Sequence, residues 1–526
     1  MKCSAAFTLL ACLGVPLAAA APVVAAQVAA GVAAGVATEV AGTKLPYAPR
    51  QDPATYEAVP PGFAPVQVQL VARHGARGLT GMKGELALLN LCRSARAADA
   101  LTPLGQRLQA DLEALIRANA LLGAGVDGVA KPGYGNLSRI GIDEQRGLAA
   151  RTLARLPALF DAADGTAGAI VVEHSGVDRA RDSAAVYTRA LLQARPALAP
   201  RVIDAGANRG TLYFHKLNPK TDANAQDGRR AAILDASRAY QAYLASPALA
   251  AKLAPIHADP RLQAAAHTVL APLFRAPFLA RLERGELRSA NSGSVTFASA
   301  DGSYRTTLEG DGKTVIASAP EALQALADAH DIAPGLAIEL GDESSNPAHL
   351  SAQRGFRAYL PAAQARLLAT LKDAEDFYEK GPGMRKQDGV TWRMAGGLVD
   401  ELFLELDKGA PTAHLRFTHA EIMLPLASAL GLPGKSEPLP QALAFGAGTS
   451  RWRTADVAPY SANLQWDSYR HPDGRRVVRM LWNEAETDFK PACDGARIAP
   501  GSHFYDVARL QACYASAARK TDIDLR

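Results

Sequence analysis

The feature that most constrains this chain is a histidine between two arginines at the end of a predicted strand. The run 66–72, Val-Gln-Val-Gln-Leu-Val-Ala, alternates apolar and polar residues and predicts a β-strand. Arg73, His74 and Arg77 follow directly, in the sequence Arg-His-Gly-Ala-Arg. In open α/β sheets, ligands bind at the carboxyl ends of the strands. The chain is therefore predicted to be an α/β protein with a binding site at this edge.

The residue types in this stretch favour phosphate chemistry. Arginine presents a planar, permanently charged fork that grips phosphate oxygens in pairs, so Arg73 and Arg77 suit an anionic ligand. A neutral histidine can attack phosphorus and form a covalent intermediate. The neighbouring cations disfavour protonation of His74 and keep its lone pair available. The alternative is a loop with surface arginines and no ligand, but the preceding strand and the second arginine favour the phosphate site.

A second polar stretch follows another predicted strand late in the chain. His419 and Glu421 lie between the run 415–418 and an apolar helix predicted over 422–430. If Ala420 is extended, the two side chains share a face. His419 can then donate to a phosphate oxygen, and Glu421 can protonate a leaving alcohol and later activate water. Taken singly, Glu421 also fits an ordinary helix N-terminal carboxylate, and His419 an ordinary loop histidine.

A third candidate lies in the first half of the chain. Arg179 is in the first turn of a helix predicted after the strand 169–173. There, backbone amides and the guanidinium can both reach an anion. Ser183 is one turn further along, on the same side of the helix. The alternative is an ordinary helix start with a solvated arginine.

Together these stretches resemble branch 2 of the histidine phosphatases, the clan of histidine acid phosphatases and phytases. The Arg-His-Gly-Ala-Arg start carries the resemblance, together with the late His-Ala-Glu motif. The late motif is similar to that of the multiple inositol-polyphosphate phosphatase group, in which the glutamate is taken as the proton donor. Supporting agreement, in chain order between about residues 60 and 515, comes from 101–105, 136–141 with Glu144, 460–464, 481–484 and Cys493.

The resemblance implies a Rossmann-like central sheet with flanking helices, and a role for each candidate residue. His74 becomes the phosphorylated nucleophile, and Glu421 the general acid and then the base. The implied phosphate ligands are Arg73, Arg77, Arg179 and His419. Apart from the resemblance, Lys83 and Arg139 are candidates to hold distal phosphates, with a solvated side chain as the alternative for each. The family usually has a proline two residues after the second arginine, where this chain has Gly78-Leu79. The rim of the pocket is therefore expected to differ from the family pattern.

Composition limits the class of protein. A chain of 526 residues suffices for a large core and two closely joined domains. The net charge of +5 suits a small anionic substrate, but it is too diffuse to indicate nucleic-acid binding. After the leader, no segment reaches the ~18 uncharged apolar residues that a membrane span requires. No metal or cofactor motif has the context it requires, so neither a metal nor a cofactor is expected.

The beginning of the chain and the cysteines indicate export. Residues 1–26 have the pattern of a secretory signal peptide, which predicts a periplasmic or secreted protein. A weak lipobox-like match ending at Cys12 leaves a lipid-anchored form as the alternative. Export permits disulfides. Cys493 and Cys513 flank a short C-terminal segment and are the expected pair, whereas Cys92 is expected to be a buried, unreactive thiol.

Changes in composition and in the helix and strand patterns along the chain predict its domain organisation. Residues 27–61 form a predicted lead-in segment that is flexible or becomes ordered late. The α/β core is expected over 62–219 and 391–526, with a mainly helical cap over 220–390 between the two halves. An alternating stretch with glycine-containing turns near 294–318 predicts a β-hairpin within the cap. Long helices are predicted over 104–122, 142–160 and 391–406, and a short strand over 211–214.

These features predict an exported phosphomonoesterase that hydrolyses inositol polyphosphates, with phytate (InsP6) foremost, through a phosphohistidine. A broad-specificity acid or sugar phosphatase is the alternative enzyme. A non-catalytic module that binds inositides or phosphate is the alternative of another class. Such a module needs the arginines but has no use for a nucleophile and a proton donor, so His74 and Glu421 together favour an enzyme.

Overall fold

The computed structural model describes residues 42–161, 168–218, 222, 228–341, 356–408 and 410–520. The signal peptide predicted over 1–26, Cys12 and residues 27–41 of the predicted lead-in lie outside these ranges. Within the described ranges, no helix combines the length and the apolar character that a bilayer-spanning helix requires.

The strands of the described residues form one large mixed sheet and one separate hairpin. They are β1 Ala64–Arg73, β2 Ile170–His174, β3 Val202–Ala207, β4 Ser289–Ala298, β5 Arg305–Ile316, β6 Ala413–Thr418, β7 Asn463–Arg470, β8 Arg476–Trp482, β9 Ala485–Glu486 and β10 Phe504–Asp506. The order across the large sheet is β10-β8-β7-β1-β6-β2-β3, with β9 paired to β8. The four strands from β1 to β3 in this order run parallel, and β7, β8 and β10 add an antiparallel half. This confirms the predicted α/β class.

Helices cover both faces of the large sheet and fill the middle of the chain. They are α1 Gly84–Ala97, α2 Pro103–Ala120, α3 Arg139–Arg155, α4 Pro157–Asp161, α5 Asp178–Ala194, α6 Arg209–Leu212, α7 Gly228–Leu244, α8 Pro247–His257, α9 Arg261–Leu270, α10 Ala276–Glu283, α11 Ala319–Ile332, α12 Ala337–Gly341, α13 Ala362–Lys380, α14 Gly396–Lys408, α15 Ala420–Ala429, α16 Thr454–Val457 and α17 Val507–Lys520. Short 3-10 helices span Gly42–Lys44, Pro53–Thr55, Pro196–Arg201, Phe214–Lys216, Ala333–Leu336, Phe356–Ala358, Arg393–Ala395 and Pro491–Ala496.

Two local predictions need correction. The strand predicted over 211–214 is wrong, because this stretch lies in α6 and in the 3-10 helix Phe214–Lys216. The Asn208 side chain accepts a hydrogen bond from Thr211 N and caps α6, which outweighs the β-propensity of the following aromatic residues. The helix predicted over 391–406 begins only at Gly396, because the 3-10 helix Arg393–Ala395 precedes it and the Thr391 side chain is held by a hydrogen bond to Gly381 O.

Packing joins the middle of the chain to its first helices. One hydrophobic cluster combines α1 and α2 with side chains from α9 to α13. A second combines α14, α15 and the antiparallel half of the sheet with α7. The β4–β5 hairpin lies inside the predicted cap and packs on α1. The division into a core and a cap at 219/220 and 390/391 stays a prediction.

The C-terminal helix is tied to the preceding turn by a disulfide. Cys493, in the 3-10 helix Pro491–Ala496, is bonded to Cys513 of α17 with a Cα–Cα distance of 5.7 Å. This is the pair expected from the sequence. Cys92 is a free and fully buried thiol on α1, and burial raises its pKa to about 12. It is therefore protonated at neutral pH and packs as a small apolar side chain.

The polar face of β1 is buried rather than solvated. Gln67 and Gln69 alternate with apolar residues, which is why the run predicts a strand, yet both are fully buried. Gln69 Nε2 donates to Leu402 O of α14 at 2.8 Å, and Gln67 Nε2 donates to Glu405 O at 3.3 Å. The side-chain amides of Gln67 and Gln69 donate to carbonyl oxygens of α14 in the place of water. Helix α14 can therefore pack on the polar face of β1.

The same face holds a layer of buried charges below the binding edge. Arg416 on β6 is 0% exposed, and its Nη2 lies 2.8 Å from Glu401 and 2.7 Å from Glu405. His414 Nδ1 lies 2.7 Å from Glu405, and its Nε2 lies 3.4 Å from Glu173 of β2. Ligand atoms of Glu173, Glu401 and His414 approach within 4.8 Å of one another, but Arg416 already supplies positive charge there. We therefore interpret the group as an ion-pair network.

This network makes stability depend on pH through His414. Burial and Arg416 oppose protonation, but hydrogen bonds to Glu173 and Glu405 raise the His414 pKa above its usual value. The stabilisation is therefore fully present below the unfolded-state pKa of about 6.5 and is lost as pH rises through the higher folded-state pKa. His414→Gln should lower the free energy of unfolding more at about pH 5.5 than at about pH 8.5.

Urea unfolding of wild type and variant at both pH values measures this difference. His257→Gln is the matched control, because His257 pairs with Glu375 at the surface and its side chain is 59% exposed. A loss that is equal at both pH values, or larger at high pH, would contradict the assignment of a charged His414.

Candidate active site

The site lies where three parallel strands end side by side. Arg73 at the end of β1 pairs in register with Thr418 at the end of β6. His174 at the end of β2 is paired with Phe417. The chain continues this pairing by one residue, since His74 N donates to Thr418 O and Ser175 N donates to Phe417 O. The register therefore brings the stretches after β1, β2 and β6 together, as the sequence predicts.

His74 is poised as a neutral imidazole. It is 2% exposed, and its Nδ1 lies 2.9 Å from the carbonyl oxygen of Gly75. A carbonyl only accepts hydrogen bonds, so Nδ1 carries the proton and Nε2 keeps its lone pair. Burial, followed by the charges of Arg179 and Arg73, lowers the His74 pKa well below its usual value. The geometry and the charge of the site both favour nucleophilic attack from Nε2.

Buried donors surround this histidine. Arg73, Arg77 and Arg179 each have a buried Nε without a hydrogen-bond partner among the described residues, and the same holds for His419 Nδ1. Burial lowers the pKa of Arg73 and of Arg179 to about 10, so both remain charged at neutral pH. Leaving buried charged donors unpaired is costly unless an anion accepts them. The four side chains implied as phosphate ligands thus form a cationic pocket, called the cradle below.

The late motif folds differently from the extended form considered in the sequence. His419 is the N-cap of α15 with an extended backbone, but Ala420 is already helical, so strand alternation does not align His419 with Glu421. Instead, Glu421 lies in the first turn of α15. His419 Nε2 lies 2.7 Å from Ser175 Oγ, which orients the ring with Nδ1 unpaired.

The surroundings of Glu421 lower the pKa of this predicted proton donor. Burial would raise its pKa, but the Lys380 charge lowers it, and His215 and His419 act in the same direction. The result is a pKa below the usual value for glutamate. In the unliganded site, Glu421 is therefore a carboxylate.

Several supporting residues have only weak sequence signals. Glu144 accepts hydrogen bonds from Ala76 N and from Ser461 Oγ, both at 2.8 Å, and thereby fixes the loop after β1. Ser183 Oγ accepts from Gly75 N at 3.2 Å, which connects α5 to the same loop. The spacing one turn after Arg179 predicts the side on which Ser183 lies. Nothing in the sequence predicts what Glu144 contacts.

The loop after β1 requires a glycine at position 75, and it has a hydrogen bond at position 79, where the family usually has a proline. A Cβ atom on Gly75 would lie 2.3 Å from Gly141 O, so a side chain there would push α3 away. Leu79 N donates to Asn119 Oδ1 at 2.7 Å. A proline at position 79 would lack this donor. In this chain, the amide of Leu79 takes part in holding the pocket rim.

The candidates for distal substrate contacts lie outside the buried cluster. Lys83 is exposed at the N-cap of α1, and its backbone amide donates to Glu85 Oε2. Arg139 is exposed as the first residue of α3, and its backbone amide donates to Glu339 Oε1. A role for either side chain in substrate binding stays a prediction.

Fold and site together define a class of protein. A buried neutral histidine among arginines with buried Nε atoms, at the carboxyl edge of an α/β sheet, is suited to phosphoryl transfer by positioning and charge stabilisation. Residues 315–483 match the model of the histidine phosphatase superfamily, branch 2. This match and the geometry of the site support the assignment of the chain to branch 2 of that superfamily as a phosphatase.

Solved structures agree with this assignment. The structure is similar to the multiple inositol polyphosphate phosphatase of Bifidobacterium longum in complex with inositol hexasulfate, with a TM-score of 0.76 and 28% sequence identity. This match covers 90% of this chain and 97% of the other. The phosphate complex of that enzyme gives a TM-score of 0.77 at 28% identity and covers 91% and 98%. A phytase from D. castellii shares the fold, with a TM-score of 0.50, 14% identity and coverage of 91% and 84%.

The contact between Ser175 and His419 gives a test of the cradle. Ser175→Ala removes the partner of His419 Nε2, so the ring loses its fixed orientation. We expect kcat/KM for p-nitrophenyl phosphate to fall about 10-fold, which corresponds to the loss of one buried hydrogen bond. Ser428→Ala on α15 is the matched control, since Ser428 is buried and donates only to Leu424 O. An equal effect of both changes would show that general destabilisation, and not the position of His419, is responsible.

Proposed function

We propose that the protein is an exported phosphomonoesterase that hydrolyses inositol polyphosphates through a phosphohistidine. The observation that carries the proposal is the buried, neutral His74 with Nε2 free, surrounded by the unpaired donors of the cradle. The similarity to the Bifidobacterium longum enzyme over 90% of the chain supports the substrate class. The electrostatics suit a phosphate dianion, because the charges of Arg73, Arg77 and Arg179 all act on His74.

In the first step, the cradle binds the phosphoryl group and His74 attacks it. A bond forms between His74 Nε2 and phosphorus while the bond from phosphorus to the ester oxygen breaks. Glu421, protonated in the loaded site, gives its proton to the leaving alcohol oxygen. The cradle stabilises the charge on the three equatorial oxygens as the transition state forms.

In the second step, water releases the phosphate. Glu421, now a carboxylate, takes a proton from a water molecule as the water oxygen attacks phosphorus. The bond between His74 Nε2 and phosphorus breaks, and the lone pair returns to the imidazole. Inorganic phosphate leaves, and Glu421 then releases its proton to solvent, because its pKa in the free site is low.

The proton that Glu421 donates has to be acquired when substrate binds. In the free site the carboxyl is ionised, because the positive charge of Lys380 outweighs burial. A bound phosphate adds negative charge beside the carboxylate and favours its protonated form. Substrate binding and proton uptake are therefore coupled, and turnover is favoured at acidic pH.

This coupling predicts the effect of Lys380. Lys380→Met removes the cation that lowers the Glu421 pKa, so the acid stays protonated to higher pH. The alkaline limb of the kcat profile should shift upward by about one pH unit. Lys372→Met is the matched control, since Lys372 pairs with Glu375 and Asp376 on the same helix without being among the groups that shift Glu421. A limb that stays in place, or that moves to lower pH, would contradict the role of Lys380.

Substrate class and nucleophile are tested in one assay. The purified protein and His74→Ala should be compared for phosphate release from InsP6 and from p-nitrophenyl phosphate. We expect wild type to prefer InsP6, and His74→Ala to lose about 10⁴-fold or more in rate while still binding phosphate, because the covalent route is closed.

Each alternative has its own outcome in that assay. Activity on the aryl ester alone would favour a broad-specificity acid or sugar phosphatase. If the folded protein binds phosphate but releases none from either substrate, a non-catalytic binding module would be favoured. Undiminished turnover by His74→Ala would refute the nucleophile assignment.

Export is supported by two features. Residues 1–26 have the signal-peptide pattern, and Cys493 is joined to Cys513 by a disulfide. Disulfides persist in oxidising compartments such as the periplasm and the extracellular medium.

A further inference from the structure

The lead-in segment predicted to be flexible or late-ordered contains a stretch packed against the cradle. We call residues Gly42–Tyr47 the strap. Leu45 and Tyr47 are buried, 4% and 7% exposed. Tyr460 N donates to Leu45 O at 2.9 Å, so the strap is also hydrogen-bonded to the segment that precedes β7. A segment that only leads into a domain needs none of these contacts with the site.

The first contact of the strap is with the phosphate ligand Arg73. Arg73 Nη1 donates to two backbone carbonyls, those of Thr43 and Ala458. The guanidinium carbon also lies 4.5 Å from the centre of the Tyr460 ring. With Nη1 held by carbonyls, the unpaired Nε remains available for an anion. One of the two acceptors that orient this guanidinium therefore belongs to the strap.

The second contact reaches the loop that carries His74. Tyr47 N donates to Glu144 Oε1 at 2.8 Å, and the other oxygen of Glu144 accepts from Ala76 N at 2.8 Å. One carboxylate thus joins the strap to the backbone two residues after His74. A displaced strap would leave a buried carboxylate oxygen unsatisfied and would loosen the loop.

The strap also has an anchor outside the site. Tyr47 OH donates to Glu484 Oε2 at 2.7 Å and accepts from Asn463 Nδ2 at 2.9 Å. Lys44 Nζ lies 2.9 Å from Asp328 Oδ1. The Tyr47 contacts fix the strap to other parts of the fold, so that Thr43 and Tyr47 can hold groups of the site in place, whereas the Lys44 pair is partly exposed and contributes little.

We propose that the strap is part of the phosphate-binding machinery. Thr43 positions Arg73 through its carbonyl, and Tyr47 positions the loop after β1 through Glu144. Both are positioning residues, since neither touches the reacting atoms. The inference deepens the proposed function and rests on it through the role of Arg73 as a phosphate ligand.

The test is Lys44→Pro in the full chain, with Lys44→Ala as the matched control. A proline disfavours helical backbone in the residue before it, and Thr43 lies in a 3-10 helix. Lys44→Pro therefore turns the Thr43 carbonyl away from Arg73, whereas Lys44→Ala removes only the ion pair with Asp328. For Lys44→Pro we expect the dissociation constant of inorganic phosphate to rise about 10-fold, as one charged hydrogen bond is lost. Turnover of p-nitrophenyl phosphate should fall about 100-fold, because small misplacements are costly.

A second variant strains the strap at its start. Gly42 has φ +64°, a conformation that favours glycine, and a Cβ there would meet no atom closer than 3.5 Å. Gly42→Val should therefore displace the strap, because a β-branched residue does not readily adopt this backbone conformation, and should weaken phosphate binding in the same direction. If circular dichroism shows that Lys44→Pro is unfolded, phosphate binding by Gly42→Val tests the proposal instead.

A double-mutant cycle separates positioning from general stabilisation. If the strap acts through Arg73, Gly42→Val should add less than about twofold to the loss of kcat/KM already caused by Arg73→Ala. The proposal would be overturned if the losses of kcat/KM caused by Gly42→Val and Arg73→Ala were fully additive. It would also be overturned if Lys44→Pro and Gly42→Val both bound phosphate as tightly as Lys44→Ala. If wild type itself does not bind phosphate, the proposed function fails, and the role of the strap with it.

Discussion

The structure depends on one costly arrangement, the burial of several positive charges around a neutral histidine. Desolvation works against the charge on Arg73 and Arg179, and their unpaired Nε atoms add to that cost. The same charges keep His74 unprotonated. A site assembled in this way is unfavourable without an anion and becomes favourable when phosphate binds. Much of the surrounding structure can be understood as support that holds these groups in place while the site is empty.

That support is made mainly by backbone groups and short side chains from distant parts of the chain. Carbonyls of Thr43 and Ala458 hold Arg73, and Glu144 holds the amide of Ala76. Rigid acceptors of this kind allow little reorganisation when substrate arrives, which is the condition for electrostatic catalysis. In the proposed mechanism Glu421 is the exception, because its charge has to change during the cycle. Lys380 lowers its pKa in the free site, so the bound phosphate itself sets when the acid is protonated.

The part of the site that could be predicted from the sequence is the part set by strand ends. His74, Arg179 and His419 each follow closely on a predicted strand, and parallel strands bring such positions to one edge. The helical start at Ala420 and the turn at 211–214 could not be predicted, because capping by neighbouring residues outweighs local propensity there. The contacts of Thr43 and Glu144 could not be predicted either, because they join segments far apart in sequence and one of them involves a carbonyl, which every residue has.

The strap also connects the site to processing of the chain. A signal peptide cleaved after residue 26, as the sequence predicts, leaves Gly42–Tyr47 in the mature protein. A cut between Thr43 and Tyr47 would separate the carbonyl that accepts from Arg73 from the amide that donates to Glu144. Under the proposed role of the strap, Arg73 would then keep only the Ala458 carbonyl on Nη1 and would lose the orientation that binds phosphate. The position of the mature N-terminus would then matter for catalysis as well as for export.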